Sequence, residues 1–329
     1  MKTLITGAAG FVGLNLTEAL LRRGDDVVVL DARPELPTDA TDAFADLPGT
    51  LTYVRGDVLD TDALEATVRD HDVTRFVHAA VITPGPDREV RDWKTIVDVN
   101  YRGTIEALDV AVRCGVERFL YPSSASVYGD TSFDDPTLKE DVTHPVPNAF
   151  YGIAKYAAER STLRAHDLLG LDARVARVGA VFGPWEHATG LRDTLSGPML
   201  ASRLAVQGEE VVLPRPGPRD WVYARDVAGA LIALLDAENP PHRLYNVSSG
   251  VRWTMQDWCE RMQAHDPDFR WRISDDPSEA NVTFGPRDRS PLDVERLTGE
   301  IYQPRYPLAE AFDDYMAWID QRTDFWTRS

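Results

Sequence analysis

Tyr151 and Lys155 stand four residues apart in YGIAK, an interval that puts both side chains on one face of a helix. A free phenol, with a pKa of about 10, is a poor base near neutrality, and a neighbouring ammonium favours its ionised form. Ser124, within PSSASVYG, offers a neutral hydroxyl that can hold an oxygen whose charge changes during reaction, and Ser126 lies two residues on. Together these groups suit removal of a hydroxyl proton while hydride leaves the same carbon. Each has a plainer reading. Tyrosine and lysine at this interval mostly pack and solvate, and clustered serines mostly form loops. Their order behind the features that follow is what gives them weight.

A hydride needs an acceptor, and the amino terminus offers a place for one. Gly7, Gly10 and Gly13 follow an apolar run and open a helical pattern as GAAGFVG, with Phe11 and Val12 in the same turn. Glycine there permits a tight turn, close approach of a diphosphate and close packing of helix on strand. The helix start adds unpaired amides and a favourable dipole. A glycine triplet alone is a weak signal, and Asp31 strengthens it. Ending the second apolar run, its carboxylate can accept both ribose hydroxyls and would repel a ribose phosphate. NAD is therefore expected over NADP, although Arg33 pulls the other way. Asp57 and Val58 follow the third run, where an acid can accept from the adenine amino group. Ala79 and Ala80 are small enough to let a dinucleotide pass, and the Asn100 amide can tether the neighbouring strand.

These residues need a frame. Short apolar runs at Lys2–Thr6, Asp26–Asp31, Leu51–Arg55, Arg75–Ala80, Arg118–Ser123 and Asp172–Val178 alternate with helical patterns at Val12–Arg23, Asp62–Arg69, Asp92–Cys114 and Tyr151–Leu168. Such alternation predicts an α/β fold, a doubly wound parallel sheet covered on both faces. The Pro34–Asp46 stretch reads as a polar surface excursion. Beyond Gly183, glycine, proline and tryptophan become frequent. Helices are expected at Val227–Asp236 and Thr254–Gln263, and a late strand at Tyr245–Val247 that returns to the main sheet. The division expected is a dinucleotide-binding domain over 1–178, with 220–250 partly returning to it, and a smaller substrate-binding lid region over 179–329.

With 53 acidic and 35 basic residues among 329, the formal charge is −18. A surface of that sign repels nucleic acid and anionic membrane, so neither is an expected partner. Lys2, Lys94, Lys139 and Lys155 are the only lysines, and all other basic residues are arginine. Cys114 and Cys259 have no metal-ligand spacing and form no disulfide framework, so no metal is expected. No stretch approaches a membrane span, and the amino terminus reads as a first strand, so the cytoplasm is the expected location.

The motifs TGAAGFVG, HAA, VNYRGT, PSSASVYG, YGIAK, RDWVYARDVA and YNVSSG, with Asp57-Val58, resemble those of the extended short-chain dehydrogenase/reductases. More narrowly, they are similar to the NAD-dependent epimerase/dehydratase group, and they span most of the chain. The resemblance implies a Rossmann domain, a smaller C-terminal substrate domain and a homodimer joined through two long helices, near Asp92–Cys114 and Tyr151–Leu168. It assigns catalysis to Ser124, Tyr151 and Lys155, with Lys155 also on the nicotinamide ribose. Arg219 matches an arginine that often contacts substrate phosphate. Arg177 fits one that shapes the pocket or grips a carboxylate, and Arg287 is a further candidate for phosphate. Where relatives place a diphosphate-binding asparagine this chain has Ala180, and Pro84 lies near a position that is lysine in many UDP-galactose 4-epimerases. The acid pair typical of dehydratases is missing after the serine. The expected function is a nucleotide-sugar 4-epimerase working through a keto-sugar, with an NAD-dependent dehydrogenase of a sugar, uronate or aldonate as the alternative. A module that merely held dinucleotide would commonly have lost the tyrosine or lysine, and both are present.

Overall fold

The computed structural model describes residues 2–187, 190–285 and 287–322. Its first half alternates β1 (Lys2–Thr6), α1 (Phe11–Arg23), β2 (Asp26–Asp31), α2 (Thr38–Phe44), β3 (Thr50–Arg55), α3 (Thr61–Asp70), β4 (Arg75–His78), α4 (Pro86–Val97), α5 (Gly103–Arg113), β5 (Arg118–Ser124), α6 (Phe150–Leu169) and β6 (Ala173–Val178). There follow β7 (Ala180–Phe182), α7 (Gly197–Val206), β8 (Val211–Leu213), β9 (Trp221–Tyr223), α8 (Ala224–Asp236), β10 (Leu244–Val247), α9 (Met255–His265), β11 (Trp271–Ile273), α10 (Glu295–Glu300) and α11 (Leu308–Asp320).

Seven of the strands form one parallel sheet in the order β10-β6-β5-β4-β1-β2-β3. Every residue of β4 and β6 is buried, the expected signature of strands covered on both faces. Leu14, Leu20, Leu231 and Leu234 of α1 and α8 pack on one face. Leu64, Val68, Ala107, Ala111 and Ala158 of α3, α5 and α6 pack on the other. The doubly wound α/β fold is thus as the alternating pattern predicts. The late strand does return, as β10 beside β6.

Two local readings differ from the structure. The stretch 34–46 contains a short helix, α2, whose buried Ala40 and Phe44 anchor it, with Phe44 edge-on to Trp185 at 5.7 Å. Only two apolar residues hold it down, too few to register as a helical period. The long helix expected from Asp92 begins earlier, at Pro86, and is interrupted by a π-helical turn over Asp98–Arg102. That turn turns Asn100 inward, where its amide receives the Ile82 N–H at 2.7 Å and donates to the Ile82 carbonyl at 2.8 Å. The chain after β4 is thereby clamped to the helix.

Candidate active site

The carboxyl ends of the parallel strands open into a cavity of about 1350 Å³. Gly7 is left-handed at φ +68°, and a Cβ there would stand 2.5 Å from the Ala80 Cα. At Gly13 a Cβ would meet the Gly7 carbonyl oxygen at the same distance. These two glycines therefore answer to the protein's own close packing, turn on β4 and helix on turn. Gly10 is different: a Cβ would stand 3.1 Å from the Gly7 oxygen and near nothing else. It is also the N-cap of α1, which has no side-chain cap and no acid in its first turn. Uncapped amides facing a cavity beside a glycine make a fit for a diphosphate.

Asp31 closes β2 with its carboxylate turned toward the same turn. Its oxygens accept from the Ala9 N–H at 3.0 Å and the Arg33 N–H at 3.1 Å. The Arg33 guanidinium bends back to the Ala9 carbonyl at 3.0 Å. Phe11, Val12, Asp57, Val58, Ala79 and Ala80 all line the cavity, but Asn100 does not and acts through Ile82.

Farther along the strand ends, Ser123, Ser124 and Ser126 separate by direction. The Ser123 hydroxyl donates to the buried Glu159 at 3.0 Å. Ser124 and Ser126 hydroxyls meet at 3.2 Å, and the Ser124 oxygen also caps the Ser126 N–H. Tyr151, near the start of α6, lies against Ser124 and also against Thr83. Burial pushes its phenol above the ordinary value; the Ser124 hydroxyl, the Arg192 charge and the Thr83 hydroxyl pull the other way. Lys155 lines the same cavity, but its Nζ donates to the Pro122 carbonyl at 2.7 Å and sits 4.6 Å from the Tyr121 ring centre. Burial lowers this amine to about 7. The cation that bears on the phenol in this structure is therefore Arg192.

Arg177 is buried and engaged on three sides. It grips Glu159 at 2.6 and 2.9 Å and donates to the Tyr128 hydroxyl at 3.0 Å and the Glu140 carbonyl at 3.1 Å. It is absent from the cavity wall among the described residues, so its guanidinium braces β5, β6 and α6 from behind. Arg219 does reach the cavity, beyond β6, where burial and the nearby Arg289 lower it to about 10. Arg287 points elsewhere, with its guanidinium 3.7 Å over the Phe133 ring. Arg289 lines the cavity instead, with Asn281 and Thr283. In an extended segment residues two apart share a side, but here the two arginines diverge, Arg287 to the Phe133 ring and Arg289 to the cavity. Thr83, Arg192 and Arg289 have no motif of their own in the sequence. Thr83 and Arg192 are joined by a backbone bridge, which no local period reveals.

A parallel sheet with an acid-ended second strand, a glycine turn and a Ser–Tyr–Lys wall has the extended short-chain dehydrogenase/reductase architecture. Residues 3–248 match the NAD dependent epimerase/dehydratase family, and the chain belongs to that family. It is an NAD-dependent enzyme, as the glycine turn and Asp31 led us to expect. The dTDP-L-rhamnose 4-epimerase of Burkholderia thailandensis is 28% identical over 98% of this chain and 96% of its own length. A dTDP-glucose 4,6-dehydratase of Streptomyces antibioticus is 26% identical over 99% of this chain and 94% of its own. The fold matches the UDP-glucose 4-epimerase of Thermotoga maritima, solved with UDP-glucose, at a TM-score of 0.80 and 21% identity, covering 98% of this chain and 100% of that one. Among the described residues no helix is long and apolar enough to cross a membrane, and no cluster of three His, Cys, Asp or Glu side chains could hold a metal.

Proposed function

We propose that this enzyme is a nucleotide-sugar 4-epimerase. One observation carries the reading: a single cavity joins the dinucleotide turn, the Ser124–Tyr151–Lys155 wall and, beyond β6, the Arg219 and Arg289 guanidiniums. Two arginines at the far end suit a diphosphate, and the sugar would then lie at Tyr151. The relatives named above act on nucleotide-linked sugars, which agrees with that span.

The glycine turn and Asp31 would hold NAD, which would supply a reversible hydride acceptor for the sugar C4, so that the reaction would have no net redox change. The Tyr151 phenolic oxygen takes the C4 hydroxyl proton as that carbon becomes a carbonyl. It gives the proton back after the keto-sugar has turned over. Ser124 and Thr83 hold the C4 oxygen with neutral hydroxyls placed where charge changes. Arg192 supplies positive charge that favours the phenolate, while Lys155, held at the Pro122 carbonyl, lines the same wall.

Dehydration would require further acid–base groups to move a carbon-bound proton and expel a hydroxyl. The acids on the described cavity wall are Asp31, Asp57 and Asp193. Asp31 is at the glycine turn, Asp57 follows β3, and Asp193 is held by Arg88 at 2.6 Å and the Gly85 N–H at 3.0 Å. That supports epimerisation over dehydration. The reading also carries a homodimer through the outer faces of α4 and α6.

Conversion of UDP-sugars to their 4-epimers, followed by chromatography with nicotinamide absorbance in parallel, tests the proposal. The expected result is epimer without accumulating reduced nicotinamide, and a loss of at least ~100-fold in turnover for Tyr151→Phe, with NAD affinity nearly intact. Steady growth of the reduced-nicotinamide band would instead assign a dehydrogenase. Normal turnover in Tyr151→Phe would remove the phenol from the mechanism.

A further inference from the structure

We propose that Ser123 and Glu159 are positioning residues, whose hydrogen bond fixes the spacing between the Ser124 hydroxyl and the Tyr151 phenol. The roles of Ser124 and Tyr151 in the reaction rest on the epimerase reading; the spacing between them does not.

Consecutive residues at the end of β5 each meet a side chain of α6. The Pro122 carbonyl accepts from the Lys155 Nζ at 2.7 Å, the Ser123 hydroxyl donates to the Glu159 carboxylate at 3.0 Å, and Ser124 lies against Tyr151. Tyr151, Lys155 and Glu159 follow one another at helical intervals, so the three meetings run along one face of α6. Tyr151 and Lys155 line the cavity. Glu159 is fully buried and absent from the cavity wall among the described residues, so it can serve the reaction only through its neighbours.

The Glu159 charge does not need Ser123. Arg177 already grips both carboxylate oxygens, at 2.6 and 2.9 Å, and its guanidinium continues to the Tyr128 hydroxyl at 3.0 Å. Tyr128 stands just beyond Ser126, so this ion pair also holds the far side of the serine turn. The Ser123 hydrogen bond adds the near side. A steric stop opposes that tie. A Cβ on Gly152, next to Tyr151, would stand 2.7 Å from the Ser126 carbonyl oxygen, so the start of α6 already touches the serine turn. Turn and helix cannot close further, and the Ser123–Glu159 bond keeps them from parting. Neutral donors aimed at a reacting oxygen depend on such fixed spacing. The rival role for Ser123 is simply to satisfy a buried carboxylate.

Glu159→Gln would strip Arg177 of its buried counter-charge, so the variant to test is Ser123→Ala, which keeps the ion pair. A ring-fluorinated tyrosine placed at position 151 brings the phenol's ionisation into an accessible range and reports it by fluorine NMR. It is titrated in NAD-loaded protein with the native serines, with Ser123→Ala, with Ser124→Ala and with both. The groups that face this phenol are Ser124 and Tyr121 of β5, Thr83 after β4 and Arg192 after β7, with Lys155 on its own helix. A hydroxyl donating to the phenolate favours ionisation, so its withdrawal raises the phenol's proton affinity. Ser123→Ala should raise that affinity by about threefold or more, Ser124→Ala by at least as much, and the double variant no further than Ser124→Ala. In protein with the natural tyrosine, Ser123→Ala should cut UDP-sugar turnover by about tenfold or more, with NAD and UDP-sugar dissociation constants within about threefold of wild type. An unchanged titration in Ser123→Ala overturns the proposal. So does a double variant in which the two shifts simply add, because Ser123 would then act apart from Ser124. Loss of NAD and sugar binding with a lowered thermal midpoint, as a merely structural role would give, overturns it too. If the wild type forms no 4-epimer, the epimerase reading fails and the titration alone decides the spacing.

Discussion

Asp31 accepts two backbone N–H groups while facing the dinucleotide turn, so removing its side chain changes more than one charge. Asp31→Ala leaves the Ala9 and Arg33 amides without their acceptor, next to the Arg33 guanidinium. Orphaned amides and a cation favour a phosphate. The preference for NAD over NADP should therefore fall by about tenfold or more, read as the ratio of the two dissociation constants. An unchanged ratio would show that the carboxylate does not read the ribose. At this scale the sequence is legible where function depends on spacing along the chain. Tyr151 and Lys155 share a helix face, and the glycines share a turn. It is illegible where partners meet only through tertiary pairing. Thr83 and Arg192 lie 109 positions apart and meet through one bridge. Arg289, and not Arg287, reaches the cavity, in a stretch with no strong pattern.

At the scale of elements, α4 and α6 do two jobs. The π-turn after α4 carries the Asn100 clamp and α6 carries Lys155, while both helices expose apolar side chains on their outer sides. Trp93 of α4 stacks on Phe150 of α6 at 5.3 Å, and both are exposed, as are Val90 and Ile153. An apolar face of this kind is stable in water when covered, and a second copy of the same two helices would cover it isologously. Light scattering should give a dimer for the wild type and a monomer for a Trp93→Glu, Ile153→Glu double variant, with the secondary structure unchanged. A wild-type monomer at micromolar concentration would defeat this. The strands and helices of the first half could be read from sequence to within a residue or two at most ends, since most of them bury a regular apolar face. The later region was harder. The pairs β7 with β9 and β8 with β11 are three residues long, shorter than any periodicity can register.

The whole molecule carries a formal charge of −18, with four lysines among its basic residues. Like charges on a compact body repel one another, and salt shortens the reach of that repulsion to ~3 Å at 1 M. Thermal midpoints should therefore rise by on the order of 5 °C or more between 0.1 and 2 M potassium chloride. A flat or falling midpoint would mean that the ion pairs of the surface, such as Arg113 with Asp109 and Arg88 with Asp193, outweigh the repulsion. The composition made the charge plain, but not where the acids would be paired.

The chain leaves the sheet after β6 and comes back as β10, which hydrogen-bonds along β6 from Leu244↔Val175 to Val247↔Val178. Between the two lie Arg192 and Arg219, and after them Arg289. Recombination between relatives could not exchange substrate preference with one crossover at residue 178. It would need two, one on each side of the returning strand, or β6 would inherit a neighbour shaped for another sheet.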